Sequence, residues 1–139
     1  MAEIIEVKDG KTILARYIPN KEIENPGLNF YSTNNEFIQF GVWGYDKGKV
    51  LAAHVHNSVE RNVNLTQEAL FVQRGKIKAT IYNLSNEKIR EIIVSKGEVM
   101  ILLRGAHGYE ILEDDTRVLE FKNGPYVGAE LDRRRIETS

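Results

Sequence analysis

The sequence predicts an all-β fold, a single small antiparallel β-barrel of the jelly-roll type. Two observations indicate this class: strand-like stretches recur about every 8 to 12 residues between turn residues, and no stretch has convincing helical periodicity. The chain has 139 residues, which is enough for one hydrophobic core. We therefore expect one domain over residues 1–139, in which the sheet closes once.

The clearest strand is predicted over residues 76–84. Ile77, Ala79 and Ile81 alternate there with lysine and threonine, a period of two that is typical of a strand with one buried face. Stretches rich in aliphatic and β-branched residues predict the other strands, within residues 11–18, 36–48, 68–75, 90–103, 108–114 and 116–124. Residues 20–29 are predicted as a connector, and at most a helical turn is expected in residues 59–67 and 131–136.

Composition excludes several classes of function. Lysine and arginine number 19 and aspartate and glutamate 20, so charge gives no reason to expect nucleic acid or a membrane surface as a partner. The basic run at residues 133–135 is either a solvated tail or a phosphate contact. The absence of cysteine excludes disulfides, thiolate zinc sites and cysteine nucleophiles.

The ends of the chain and its hydropathy predict where it resides. Residues 1–11 lack the layout of a signal peptide, and nowhere do 18 apolar residues run together. We expect a cytoplasmic protein. A homodimer is also expected, with the stretch at residues 11–18 as an edge strand paired or exchanged between two chains.

Three histidines and a glutamate form the candidate metal site. His54 and His56 are two residues apart in the apolar stretch 50–56, so on a strand both side chains point to one face. Glu68 opens the next strand, and His107 follows the predicted strand that ends near residue 103. If these groups converge, they suit Fe(II), Mn, Ni, Co or Zn. The alternative is that the histidines bind backbone carbonyls or face solvent.

The spacing of these residues resembles the two motifs of the cupin superfamily, over about residues 41–121. In the first motif, Gly48 precedes His54 and His56 by the spacing of the family, and Glu68 is followed by six residues and Gly75. In the second motif, five residues separate Gly97 from the stretch 103–107, which ends in His107. Leu103 stands there in place of the proline of the family. More closely, the chain is similar to a group of small single-domain cupins.

The resemblance implies a cupin barrel with one divalent metal ion (Fe, Mn, Zn or Ni) held by His54, His56, Glu68 and His107. Eleven residues separate His56 from Glu68, more than is usual in the family. Glu60 satisfies the shorter gap but lacks the glycine seven positions later, so Glu68 is favoured. The N-terminal strand at residues 11–18 and a turn and tail at residues 123–139 flank the motif region.

The remaining site residues are predicted for their chemistry. Tyr109 would share a strand face with His107, and these two are the predicted catalytic groups, an acid and a base. Arg61 and Tyr126 are candidates for binding the small-molecule ligand, although a solvated arginine and a tyrosine that covers the core are the plainer interpretations. Glu120 and Lys122 share a face that the sequence favours as the outer one; the alternative is that they line a polar barrel cavity.

Three functions follow as hypotheses. The first is a metal-dependent enzyme of isomerase or epimerase, lyase or dioxygenase type that acts on a small polar molecule. The second is a metal-free cupin that binds or modifies a sugar or nucleotide sugar with a histidine base. The third is a non-catalytic module that binds a small ligand. The sequence does not choose among them, because one fold serves many chemistries.

Overall fold

The computed structural model of the chain describes residues 3–137, so both ends of the predicted 1–139 domain lie outside the described residues, as does the end of the 123–139 tail. The described part is built mainly of antiparallel strands, which confirms the all-β prediction. The strands, in chain order, are β1 (Ile5–Asp9), β2 (Thr12–Ile18), β3 (Gly27–Phe30), β4 (Gly41–Gly44), β5 (Glu68–Arg74), β6 (Lys76–Tyr82), β7 (Lys88–Ser95), β8 (Val99–Leu102), β9 (His107–Ile111) and β10 (Arg117–Lys122). Two short helices are α1 (Asn20–Ile23) and α2 (Ala129–Asp132).

These strands form three sheets. A five-stranded sheet has the order β1-β2-β8-β5-β10, a three-stranded sheet has the order β7-β6-β9, and β3 pairs with β4 alone. Within residues 3–137 the sheets do not close into a barrel, because β9 and β10 each end a sheet with one edge unpaired.

The main core lies between the five-stranded and three-stranded sheets. The alternation read from the sequence of β6 is correct: Ile77, Ala79 and Ile81 are buried, and they pack in one cluster with Leu70 and Val72 of β5. Burying an aliphatic side chain of this kind contributes about 1.5–3 kcal/mol to folding. This core fixes which face of β5 and β9 points into the gap between the sheets.

A second cluster covers the opposite face of the five-stranded sheet. There Ile18, Val99 and Ile101 are buried under partly buried side chains that include Ile38 and Phe40. The central strand β8 is consequently buried on both faces, as its run of apolar residues allows.

Arg16 of β2 connects residues 31–40 to this sheet through hydrogen bonds. Its guanidinium donates two hydrogen bonds of 2.9 Å to the carboxylate of Glu36, one to Glu6 and one to the backbone carbonyl of Tyr31. Although Arg16 is buried, these acceptors compensate its charge, and the bonds to Glu36 raise the pKa of Arg16.

The structure corrects several predicted elements. The strand expected around residues 50–56 and the helical turn in residues 59–67 do not form, and every residue from 43 to 66 is exposed. The apolar character of residues 50–56 fits a strand, but a strand also needs a neighbour for its backbone groups, and no partner strand lies beside it. The predicted connector at residues 20–29 contains α1 and the start of β3, and the C-terminal helical turn lies earlier than expected, at α2.

The expected edge strand at residues 11–18 is also corrected. In this region β2 pairs with β1 on one side and with β8 on the other, so β2 is an interior strand and β1 is the edge. Over residues 3–137, no helix is long and apolar enough to span a membrane.

Candidate functional site

Glu68 and His107 face each other across one end of the gap between the two large sheets. Glu68 begins β5 on the same face as the buried Leu70, and His107 begins β9 directly opposite the buried Ile81 of β6. His107 Nε2 lies 3.8 Å from Glu68 Oε2. Two of the four predicted metal ligands are therefore neighbours in the fold.

The Glu68 carboxylate lacks a partner for one of its oxygens. Its side chain is only 13% exposed, and Oε2 is buried without a hydrogen bond in the described part of the chain. Burial, and after it the neighbouring Glu120 carboxylate, together raise the pKa of Glu68 to about 7. An unsatisfied buried carboxylate oxygen costs free energy, which a proton, a cation or a donor from a ligand would recover.

The histidine beside it is also held away from its charged form. Burial lowers the pKa of His107, and the negative charge of Glu120 opposes this effect only in part. A neutral imidazole has a lone pair on one ring nitrogen, which is the form that binds a metal ion or accepts a proton. The pair therefore consists of a neutral imidazole, which can accept a proton or ligate a metal ion, and the Glu68 carboxyl group.

Glu120 and Lys122 line the same site, which corrects their predicted position on the outer face. In β10 they lie opposite Leu70 and Glu68 of β5, so their side chains point into the gap between the sheets. Leu119 and the exposed Phe121 occupy the outer face. The alternation of β10 was visible in the sequence, but aliphatic residues on one face and charges on the other suggested the opposite orientation.

Asp132 and Tyr126 complete the rim beside Lys122. Lys122 Nζ lies 4.0 Å from Asp132 Oδ2 and 5.4 Å from the centre of the Tyr126 ring. The Thr66 hydroxyl donates a 2.9 Å hydrogen bond to Asp132, which ties α2 to the segment that precedes β5. Sequence reasoning missed Asp132, since only the fold brings it near β10. Tyr126, which was predicted to bind the ligand, is exposed and lies beside Lys122.

Tyr109 supplies a phenol near the pair. It follows His107 by two residues on β9, and the two rings lie 5.4 Å apart between centres. Burial raises its pKa, and the charges of Glu68 and Glu120 raise it further, so the hydroxyl keeps its proton and is a hydrogen-bond donor.

A cavity of about 150 Å³ adjoins His107. Its walls include Leu102, Arg104 and Gly105. Gly105 has a positive φ of 79°, and a Cβ atom there would overlap the backbone carbonyl oxygen of Tyr82. The close approach of these two backbones, which glycine allows, shapes the loop that leads into β9.

The other predicted ligands lie apart from Glu68 and His107. His54 and His56 are exposed in the strandless segment, where their rings are 5.0 Å apart and His54 Nδ1 lies 3.4 Å from the Ala52 carbonyl oxygen. Glu60 and Arg61 belong to the same exposed segment. Of the two candidate carboxylates, the structure thus places Glu68 beside His107.

From residue 3 to residue 137, no group of three histidine, aspartate or glutamate side chains is close enough to hold a metal ion. The four predicted ligands form two separate pairs, one between the sheets and one on the exposed segment. No protein-family model, no curated protein and no solved structure matches the chain.

Proposed function

We propose that the chain is a cupin-type protein that binds a divalent metal ion, and with it a small polar molecule, between the two large sheets. The observation that carries this proposal is the buried Glu68 Oε2, which has no hydrogen bond and lies 3.8 Å from His107 Nε2. A carboxylate and an imidazole are a donor pair that suits Fe(II), Mn, Ni or Zn. A cation bound there would compensate the buried carboxylate.

The glycines of the two resembled motifs support the cupin assignment. Gly75 follows β5 with a φ of 83°, and Gly97 precedes β8 with the same value. Residues other than glycine rarely adopt this backbone conformation, so both turns favour glycine at the motif positions. Two antiparallel sheets with Glu68 and His107 between them are the arrangement expected for a jelly-roll barrel. In this proposal His54 and His56 are the remaining two metal ligands.

Donors and acceptors around the pair suit a polar ligand. A bound metal ion would supply Lewis-acid polarisation of a carbonyl or hydroxyl oxygen. Tyr109 donates from its protonated phenol, Lys122 offers a positive charge, and the Tyr126 ring beside Lys122 offers an aromatic face. Glu120 is placed to accept a proton from the ligand. These groups fit isomerisation or epimerisation, lyase chemistry or oxygenation of a small polar molecule, with Arg61 as a further contact to an anionic group.

Metal analysis tests the proposal. Protein purified without an affinity tag and incubated with Fe(II), Mn, Ni or Zn is expected to retain about one equivalent per chain by inductively coupled plasma mass spectrometry. Glu68→Gln and His107→Gln should each lose most of it. Glu60→Gln, which removes an exposed carboxylate eight residues away, is the matched control and should retain it. Wild-type protein that stays empty with all four metals would refute the metal site.

A metal-free function is the second candidate, favoured by the direct approach of His107 to Glu68 and by the adjacent Tyr109. In that function His107 is the base and Tyr109 the acid for a sugar or nucleotide sugar, or the site binds such a ligand without turnover. A rise in melting temperature with a nucleotide sugar in the presence of a chelator supports this candidate. Turnover that His107→Ala abolishes while binding persists separates the enzyme from the binding module.

A further inference from the structure

We propose that residues 50–56 of one chain add as a strand to the free edge of β9 in a second copy of the same chain, and that His54 and His56 thereby reach His107 and Glu68 of that copy. The part that concerns metal ligation rests on the proposed function. The strand exchange itself rests on the two unpaired features described next.

The first feature is the open edge of β9. This strand ends the three-stranded sheet, so the backbone groups on its outer side have no neighbouring strand among the described residues. Its face toward the core carries His107, Tyr109 and Ile111, because these three residues lie opposite buried residues of β6. Even so, Ile111 is 61% exposed. A core-facing isoleucine that remains in water indicates that another strand belongs beside it.

The second feature is the segment itself. No backbone-to-backbone hydrogen bond joins residues 50–66 to any other part of residues 3–137. Its apolar side chains are exposed, and Val50 reaches 83%. An apolar stretch without a strand partner and an unpaired sheet edge on the same chain are the two halves of a β-strand addition.

The side chains of the segment match those of β9 in one antiparallel register. On a strand, Val50, Ala52, His54 and His56 share a face. With His54 opposite His107, Ala52 comes opposite Tyr109 and Val50 opposite Ile111. The apolar end of the segment then covers the exposed isoleucine, and the small alanine leaves room for the phenol ring. The two histidines come to the end of β9 where Glu68 Oε2 lacks a partner.

The length and anchoring of the segment allow exchange with a second copy. Asn123 holds its C-terminal end at the rim of its own fold through hydrogen bonds to the Leu65 carbonyl and the Gln67 amide. From there to the end of β4 all residues are exposed, and about 20 residues span up to about 66 Å when extended. A two-fold dimer pairs both segments and both edges at once, because each chain carries one of each.

Engineered disulfides test the exchange without reference to metal. The chain has no cysteine, so Val50→Cys with Ile111→Cys introduces the only two thiols. Directly opposite residues have Cβ atoms about 4.5–5.5 Å apart, close to the range that a disulfide bridges. We expect mild oxidation to give covalent dimers on a non-reducing gel. Leu51→Cys with Ile111→Cys is the matched control, because residue 51 would point to the other face, and it should cross-link at most one tenth as fast.

A disulfide within single chains would show that the segment returns to its own fold and would overturn the exchange. Cross-linking no faster than in the control would overturn the register and the strand addition. If the double variant does not fold, as judged by circular dichroism, a mixture of the single variants Val50→Cys and Ile111→Cys replaces it, and a mixed disulfide is then the expected result. Light scattering on the wild-type protein must also give a dimer mass, and a monomer refutes the proposal.

The disulfide test and the metal test can give different results, and each result bears on its own proposal. Covalent dimers in a protein that never binds metal retain the exchange and refute the metal site. One equivalent of metal in a monomeric protein retains the metal site and refutes the exchange.

Discussion

Glu68 is the residue whose environment bears most on function. Its buried Oε2 lacks a hydrogen bond. An imidazole and a second carboxylate are among its neighbours, and the cation Lys122 lies opposite it on β10. The sequence predicted Glu68 and His107 as part of one site, since each begins a strand with apolar residues behind it. It did not predict Glu120, Lys122 or Asp132, because their positions depend on which face of β10 meets the core and on where α2 docks.

The raised pKa of Glu68 predicts how stability changes with pH when metal is removed. Its pKa is about 7 in the folded protein against 4.5 in the unfolded chain, so ionisation disfavours the folded state as the pH rises through this window. Glu68→Gln removes that ionisation. In the presence of a chelator, the free energy of unfolding of the variant, relative to that of wild type, should increase by about 3 kcal/mol as the pH rises from 4 to 8.

Urea unfolding at the two pH values measures this difference. Glu60→Gln, at an exposed position, is the control and should show no such change. A difference between variant and wild type that is the same at pH 4 and pH 8 would contradict the account of Glu68.

At the scale of single elements, strands with one buried face were predictable and the segment before β5 was not. The period of two in β6 sets Ile77, Ala79 and Ile81 against the core, and the sheet in the structure uses that face. Residues 50–56 are apolar apart from His54 and His56, and whether such a stretch forms a strand depends on a partner edge. The assignment of residues 11–18 to an edge failed for a related reason, since an N-terminal strand before it, β1, covers its outer side.

The loop before β9 gives a prediction about glycine. Gly105→Ala places a Cβ against the Tyr82 carbonyl at a positive φ, and it should destabilise the protein by about 1–3 kcal/mol. Gly108→Ala is the matched control, because a Cβ at Gly108 has no neighbour within 4 Å and its φ is ordinary, and it should cost less than half as much. Denaturant midpoints compare the two variants. Equal losses would show that the backbone approach at Gly105 is not what requires glycine.

At the scale of the whole molecule, the two large sheets face each other without pairing at their edge strands, and β3 and β4 form a separate small sheet. One open side is bounded by β9 and β10, where Ile111 is exposed on the core face of β9 and Phe121 is exposed on the outer face of β10. The sequence predicted a closed barrel from the regular spacing of its strand-like stretches and from the length of the chain. If a second chain supplies residues 50–56 as a strand, closure is a property of the dimer and cannot be deduced from the strand pattern of one chain.

Complementation between two variants tests the metal site and its shared construction most directly. One variant carries His54→Gln and His56→Gln and keeps its Glu68 and His107. The other carries His107→Gln and keeps its segment. Each is expected to bind little metal alone. After the two are mixed, unfolded and refolded together, about a quarter of an equivalent per chain should bind, because half of the dimers are mixed and each mixed dimer has one intact site of two. A mixture that stays as empty as its components, while refolded wild type binds fully, would contradict a site shared between chains.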